Sequence, residues 1–357
     1  MSVKKNKTGL STLKNKGYPI VIAGVLFFAF LIVFAEEFKN GFLTGLKHCS
    51  ETVIPSVFPF LIAASLSGSG NLPKPIQKAV SFFTEKLFSL PSETFLAFIL
   101  GQTGGYLSGV KSANSLCETG RISDFQAEKL MLFCINPGIG FAVNALGSIM
   151  LSSRNSGRII FLSVCVSSVI CGIFSRFLPC ESVQNNKKEK QIPHFSQAVI
   201  NSVSSGTFSL LTACAFVCIF SGINAVIESY FSDGTIKTAL ICLLEITNGC
   251  IFASKEMSLP IISAMCAFGG ICVHMQIFAS AEKFRIRLPV FYAFRIIHAV
   301  LSFMICSIML YIFPNDIQAM VNVTPEAALW SFSAPASVSL LFLSALLILD
   351  LDNMQRI

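Results

Sequence analysis

Phe98-Ile-Leu-Gly101-Gln102-Thr103-Gly104-Gly105-Tyr106-Leu-Ser-Gly109-Val-Lys111 interrupts an apolar segment where an unbroken membrane helix would otherwise run. The apolar run leading into it, Thr94 to Leu100, is too short to cross a bilayer, which takes about 20 residues as helix. Four glycines, a Gln, a Thr and a Lys follow within about ten positions. Gly is a poor helix former because ordering its backbone costs the most entropy, so the chain is expected to bend here. In hydrocarbon, backbone outside a helix is tolerated only where protein or a water-lined cavity satisfies its amides, and such bends are typical of transport sites. A second interruption of this kind falls at Leu243-Leu-Glu245-Ile-Thr247-Asn248-Gly249. The rest of the chain reads as a scaffold holding these two breaks together.

The composition fits that reading. Of 357 residues, 53% are hydrophobic and only 13% charged, against roughly 25% charged in ordinary soluble domains, and the mean hydropathy is +0.70. This is more apolar side chain than one globular core can hide, and it implies an all-α polytopic membrane protein. The net charge of +7 sits in short segments between apolar runs rather than on one face, which follows the positive-inside pattern and argues against nucleic acid as a partner. Thirteen cysteines fall mostly inside apolar runs, where they behave as small hydrophobes, and no disulfide framework is expected. The apolar stretch Ile20 to Ala35 runs on into Glu36-Glu37 without a small-residue cleavage pattern, so it reads as a first span that stays in place.

Charge bookkeeping then gives a topology. Lys4, Lys5, Lys7, Lys14 and Lys16 place the N-terminus in the cytoplasm. Residues 36–52 are expected outside, and a span at 53–70 leads to an amphipathic surface helix carrying Lys74, Lys78 and Lys86. A re-entrant hairpin at 92–110 follows, then spans at 127–151 (interrupted by Asn136-Pro137-Gly138) and 159–178, and a cytoplasmic loop and amphipathic segment at 179–205. The second half repeats this grammar: a span at 206–231, a hairpin at 238–254 entered from outside, and spans at 258–281 and 289–313. A last span at 330–349 returns the C-terminus to the cytoplasm. With the first span at 19–35, the count is about eight spans and two hairpins. The divisions are 1–52, 53–178, 179–205, 206–313 and 314–357, and units 53–178 and 206–313 enter the membrane from opposite sides as inverted repeats, an arrangement typical of secondary carriers.

No catalytic constellation stands out. His48, His194, His274 and His298 are scattered, and there is no HExxH, no CxxC and no Walker P-loop. Neither an enzyme nor a cofactor or metal is expected. Gln102, Thr103, Gly104 and Gly105 stand at the first break, where half-helix ends expose amides that favour an anion or a polar group, although they could equally satisfy the hairpin's own backbone. Gly109 and Lys111 follow; the lysine could pair with a carboxylate or snorkel to headgroups. Glu245, with Thr247, Asn248 and Gly249, puts a carboxylate inside apolar sequence. There it could bind a coupled cation or proton, hydrogen-bond a solute, or cap the hairpin amides. Asn136 precedes a proline that frees carbonyls in mid-membrane, and Asn144 lies roughly on the same helix face. Gly270, His274 and Gln276 complete the candidates; small and polar residues of this kind serve binding or helix packing.

Several of these pieces resemble the sporulation integral membrane protein family called YlbJ or SpoVV, whose members carry paired nucleoside-recognition "Gate" repeats. The matching residues are Gly105-Tyr-Leu-Ser-Gly109-Val-Lys111, Leu116, Gly120-Arg-Ile-Ser, Ala127-Glu-Lys-Leu, Phe133-Cys-Ile-Asn136-Pro137, Phe141 and Gly147. In the second half they are Glu245-Ile-Thr-Asn-Gly249 and Phe268-Gly-Gly-Ile-Cys-Val-His-Met-Gln276. Leu107 stands where the family's turn usually has Pro. Gln102-Thr103 also looks like the hairpin of concentrative nucleoside transporters, a more distant similarity. The resemblance implies transport of dipicolinic acid, pyridine-2,6-dicarboxylate, across the outer forespore membrane of a sporulating bacterium. A small aromatic dianion would suit helix N-termini, amide side chains and a lysine. The alternatives are a nucleoside or nucleobase carrier and a non-transporting membrane protein of spore envelope assembly. The partners expected are a small anionic solute and the lipid bilayer, with a homo-oligomer as an option.

Overall fold

The computed structural model describes residues 18–70, 72–178 and 193–313. Every regular element among them is helical. Five segments, Ala35–Ser67, Arg154–Ser175, Phe195–Tyr230, Leu259–Ser280 and Leu288–Ile312, are long and apolar enough to cross a bilayer. The chain is an all-α polytopic membrane protein. The expected last span at 330–349 and the basic residues ahead of the first span lie outside the described residues.

Helix α1 (Tyr18–Val33) is apolar and buries none of its residues. The next element departs from expectation. Helix α2 (Ala35–His48), a π-helical turn at Cys49–Val53 and α3 (Ile54–Ser67) form one 33-residue helix, so residues 36–52 are not an external connection. Glu36, Lys39 and Lys47 face outward, while the opposite side presses on α9 (Phe195–Tyr230). The approach is close enough that a Cβ on Gly41 would lie 2.4 Å from the Ser221 carbonyl oxygen, and one on Gly45 would lie 2.8 Å from the Cys218 Cα. Helix α9 starts at Phe195 rather than near 206. Its first turns are rich in serine, and Ser196, Ser202 and Ser209 are buried, as small polar residues at membrane helix contacts often are.

The pairing of the two long helices fixes the plan of the molecule. Tyr230 meets Phe34 and Glu37, Gly222 meets Phe38, Cys49 donates to the Cys214 carbonyl, and Gly206 lies beside Leu61 and Ile62. Numbers rise on one helix as they fall on the other, so the pair is antiparallel along its whole length. Each long helix leads to a hairpin, so the two hairpins follow from opposite ends of the pair.

The first hairpin follows α4 (Lys74–Ser81) and a π-helical stretch, Phe82–Phe88, where Lys74, Lys78 and Lys86 are exposed beside Ile76 and Phe82. It consists of α5 (Thr94–Thr103) and α6 (Tyr106–Glu118). Gly105, at φ +98°, makes the turn in a conformation that side chains rarely adopt. Gly101 and Gly109, four residues to either side of it, both touch the backbone of Cys134, which shows that the two arms fold back on each other. The second hairpin is α10 (Thr235–Leu244) and α11 (Ile246–Glu256), joined by the single extended residue Glu245. Its arms close where Gly249 meets Cys242 and where the Thr238 hydroxyl donates to Glu256 at 2.8 Å.

A broken span and a closing helix follow each hairpin. In the first half, α7 (Asp124–Met131) gives way to irregular backbone around Asn136-Pro137-Gly138 and then to a π-helix, Gly140–Met150, before α8 (Arg154–Ser175). In the second half, α12 (Leu259–Phe268) breaks at Gly269, continues as α13 (Gly270–Ser280), and is followed by α14 (Leu288–Ile312). Helices α8 and α14 pack together, with Ser163 3.4 Å from the Met309 sulfur and His298 donating to the Val164 carbonyl at 3.1 Å. The long-helix contact yields the first prediction. Gly41→Leu must push backbone from backbone, and the purified protein is expected to melt earlier by an amount equivalent to about 1–3 kcal/mol. Gly24→Leu, on α1 with nothing within 4 Å of the added Cβ, should leave the thermal melt unchanged.

Candidate functional site

The two hairpin tips and the two span breaks come together. A Cβ on Gly138, in the first broken span, would stand 3.0 Å from the Gly105 nitrogen, and one on Gly270, in the second, 3.2 Å from the Cys242 carbonyl oxygen and 3.5 Å from the Ile246 nitrogen. Each tip therefore rests on the break that follows it in the chain. The first tip also reaches the second break, because the Tyr106 hydroxyl donates to the Cys266 carbonyl at 2.8 Å and the Tyr106 ring touches Gly269.

Between them lies a cavity with about 720 Å³ of empty volume, mouth included. Gly104, Gly105, Tyr106 and Leu107 of the first hairpin line it, with Gly138, Gly140 and Phe141 of the first broken span. Glu245, Ile246 and Thr247 of the second hairpin and Val273 and Gln276 of α13 complete the ring. The long helices supply Thr52, Val53, Ser56, Val57, Ala213 and Val217. The lining is mostly apolar with a few polar groups, the character of small-molecule sites. No lysine or arginine is among the lining residues.

Two helix N-termini open onto the cavity without a side-chain cap, that of α6 at Gly105 and that of the π-helix at Gly140. Their first amides have no partner within their own helix and carry the positive end of the helix dipole. In the second hairpin the corresponding end is occupied. Glu245, 1% exposed, folds its carboxylate over its own helix and accepts from the Thr247 amide at 2.8 Å and the Asn248 amide at 2.7 Å.

The residues singled out from the sequence divide by position. Gly104, Gly105, Glu245, Thr247 and Gln276 line the cavity. Gln102 and Asn136 lie behind the first tip in a buried network: Gln102 Nε2 donates to Ser168 at 2.6 Å, and Asn136 Nδ2 donates to Gln102 Oε1 at 2.9 Å and to the Phe133 carbonyl at 3.2 Å. Thr103 bonds back to the Ile99 carbonyl, and Gly109 serves the approach to Cys134. Lys111 is buried further along α6 and donates to Ser209 at 3.1 Å. Asn248 donates to Ser221, while Gly249 and Gly270 are packing contacts of the second hairpin. His274 donates to the Phe268 carbonyl at 2.8 Å, replacing a bond lost at the Gly269 break, and Asn144 is exposed.

The sequence reading passed over Tyr106, Ser56, Phe141 and, most consequentially, Arg295. Arg295 is a lone charge inside the apolar run of α14 and is 0% exposed. An ionisable residue within a span was signal enough to single it out.

The chain is similar to the sporulation integral membrane protein YlbJ of Bacillus subtilis (strain 168), at 22% identity over 300 residues covering 72% of this chain and 74% of that protein. No family model matches the chain, and no solved structure matches it. The paired Gate repeats implied by the motif residues thus rest on those residues alone.

The buried network behind the first tip carries a prediction of its own. Gln102→Leu removes the bonds to Asn136 and Ser168, which keep each other and the Phe133 carbonyl, and should lower the thermal melt by the equivalent of about 0.5–1.5 kcal/mol per bond lost. Asn144→Leu, on an exposed face, should shift it by less than about 0.5 kcal/mol.

Proposed function

We propose that this chain is a secondary carrier for a small aromatic dicarboxylate, with dipicolinic acid as the candidate solute, acting across the outer forespore membrane during sporulation. The sporulation setting comes from the similar protein's description. The observation that carries the transport reading is the meeting of two hairpin tips, which follow from opposite ends of the long-helix pair, on one cavity. In this reading 53–178 and 206–313 act as inverted repeats that alternately open the site. The face holding Arg121, Lys129, Lys283, Arg285 and Arg287 is cytoplasmic by its positive charge.

The chemistry of the cavity supports a carboxylate solute. Glu245 displays, within the protein itself, what a hairpin N-terminus in this fold accepts: a carboxylate on two backbone amides. The uncapped ends at Gly105 and Gly140 offer a solute the same kind of place. Val53, Val57, Phe141 and Val273 supply apolar walls for a ring. Glu245 would repel a dianion beside it, and a proton on Glu245 relieves that repulsion, which makes proton coupling the natural partner of this site.

In proteoliposomes, the wild-type protein is expected to move radiolabelled dipicolinate in preference to uridine. Flux should respond to an imposed pH gradient, and Glu245→Gln, which mimics the protonated carboxyl, should abolish that response. The presence of Glu245 and Gln276, with no lysine or arginine in the lining, favours a neutral hydrogen-bonding solute as the second reading. Uridine flux without dipicolinate flux would select it, and flux of neither would return the chain to the non-transporting class.

A further inference from the structure

Arg295 sits in the N-terminal third of α14, fully buried and outside the cavity lining. One guanidinium nitrogen, Nη1, donates to the Ile135 carbonyl at 2.8 Å and to the Ala267 carbonyl at 3.3 Å, and Nη2 donates to the Leu132 carbonyl at 2.7 Å. Its charge also lies over the Phe291 ring, 5.7 Å from the centroid. Among the described residues it bonds to these carbonyls and stacks on this ring, and it forms no ion pair with a carboxylate. A cation buried in this way is costly unless something balances it. The balance comes from the negative ends of two helices: Leu132 and Ile135 follow the last turn of α7, and Ala267 lies in the last turn of α12.

Those helices are the first segments of the two broken spans, one from each half of the chain. Tyr106 crosses in the other direction. From the tip of the first hairpin, its hydroxyl donates to the carbonyl of Cys266, the neighbour of Ala267. The two contacts make a closed link from the cavity wall to α12, to Arg295, and back to the break at Asn136-Pro137.

We propose that Arg295 is a positioning residue that locks the two span breaks to each other, so that the ends of the cavity at Gly138–Gly140 and at Gly269–Gly270 change shape together. The consequence for transport rests on the carrier reading above; the locking itself does not. Arginine is required because its planar fork reaches carbonyls on two helices at once, whereas a lysine ammonium is a compact point charge on a flexible stem.

The test is amide hydrogen exchange on the full-length protein in lipid nanodiscs, comparing wild type with Arg295→Lys and Tyr106→Phe. Peptides covering 132–142 and 265–276 report the two breaks, and peptides covering 38–48 and 214–225 report the long-helix contact as an internal reference. In Arg295→Lys both breaks should exchange about tenfold faster or more, with the reference held within about twofold. Tyr106→Phe should speed exchange at 265–276 alone. Acceleration at only one break, at neither, or equally at the reference would overturn the proposal. With a transported solute in hand, Arg295→Lys should lower the maximal rate about tenfold and leave KM within about twofold, since no cavity contact is removed. Absence of flux in the wild type would count against the carrier reading and leave the exchange result standing.

Discussion

Backbone released from a helix in hydrocarbon must find a partner, and most of what is distinctive in this fold follows from that requirement. Several groups near the breaks answer it. Gly105 and Gly138 bring the first tip against the first broken span, and the Glu245 carboxylate takes two amides of α11. His274 reaches the Phe268 carbonyl, Tyr106 the Cys266 carbonyl, and Arg295 three carbonyls at the ends of α7 and α12. Among the described residues the exposed faces of α1 and α14 are, by contrast, aliphatic and aromatic. The amides left without such a side-chain answer, at the starts of α6 and the π-helix, face the cavity.

The antiparallel contact of α2–α3 with α9 converts two similar successions of helices into an inverted pair. Glycine is essential to it. With Gly41 and Gly45 against Ser221 and Cys218 the helices meet backbone to backbone, where packing rather than hydrophobic burial supplies the attraction between membrane helices.

Much of this plan was legible in the sequence, for identifiable reasons. A glycine cluster marked the first tip, because only special backbone geometry explains Gly104-Gly105 in apolar surroundings, whereas the break at Gly269 fell inside a span expected to run over 258–281. A carboxylate in an apolar run marked the second tip at Glu245. The continuous helix through residues 36–52 was hidden because Glu36, Glu37, Lys39 and Lys47 read as a solvated connection, although Gly41, Gly45 and Phe38 form the stripe that packs on α9. Gln102 and Lys111 illustrate a different limit. Sequence proximity put them at the first tip, but helical rotation turns one toward Ser168 and the other toward Ser209. Which side of a short helix meets a cavity depends on neighbours distant in the chain, here α8 and α9, and no local pattern records them. Arg295 was readable as an anomaly, but its partners at 132, 135 and 267 were not.

The two halves share a succession of elements but not a chemistry, and the difference bears on how an inverted pair could handle an asymmetric task. In the second half the hairpin N-terminus is satisfied from within by Glu245. In the first it is bare and opens on the cavity. A strictly symmetric pair would hold either two internal carboxylates, leaving nothing for a solute, or two bare ends, leaving no titratable group beside it. The arrangement found here places one uncapped helix N-terminus and one carboxylate on the lining of the same cavity. In the proposed carrier a solute carboxylate at the uncapped end and the Glu245 carboxylate would repel each other, and a proton on Glu245 would relieve that repulsion through ordinary Coulomb interaction. Under that reading a proton would be tied to the solute without any dedicated ion site, and the broken symmetry at Glu245 is the feature from which such coupling would arise.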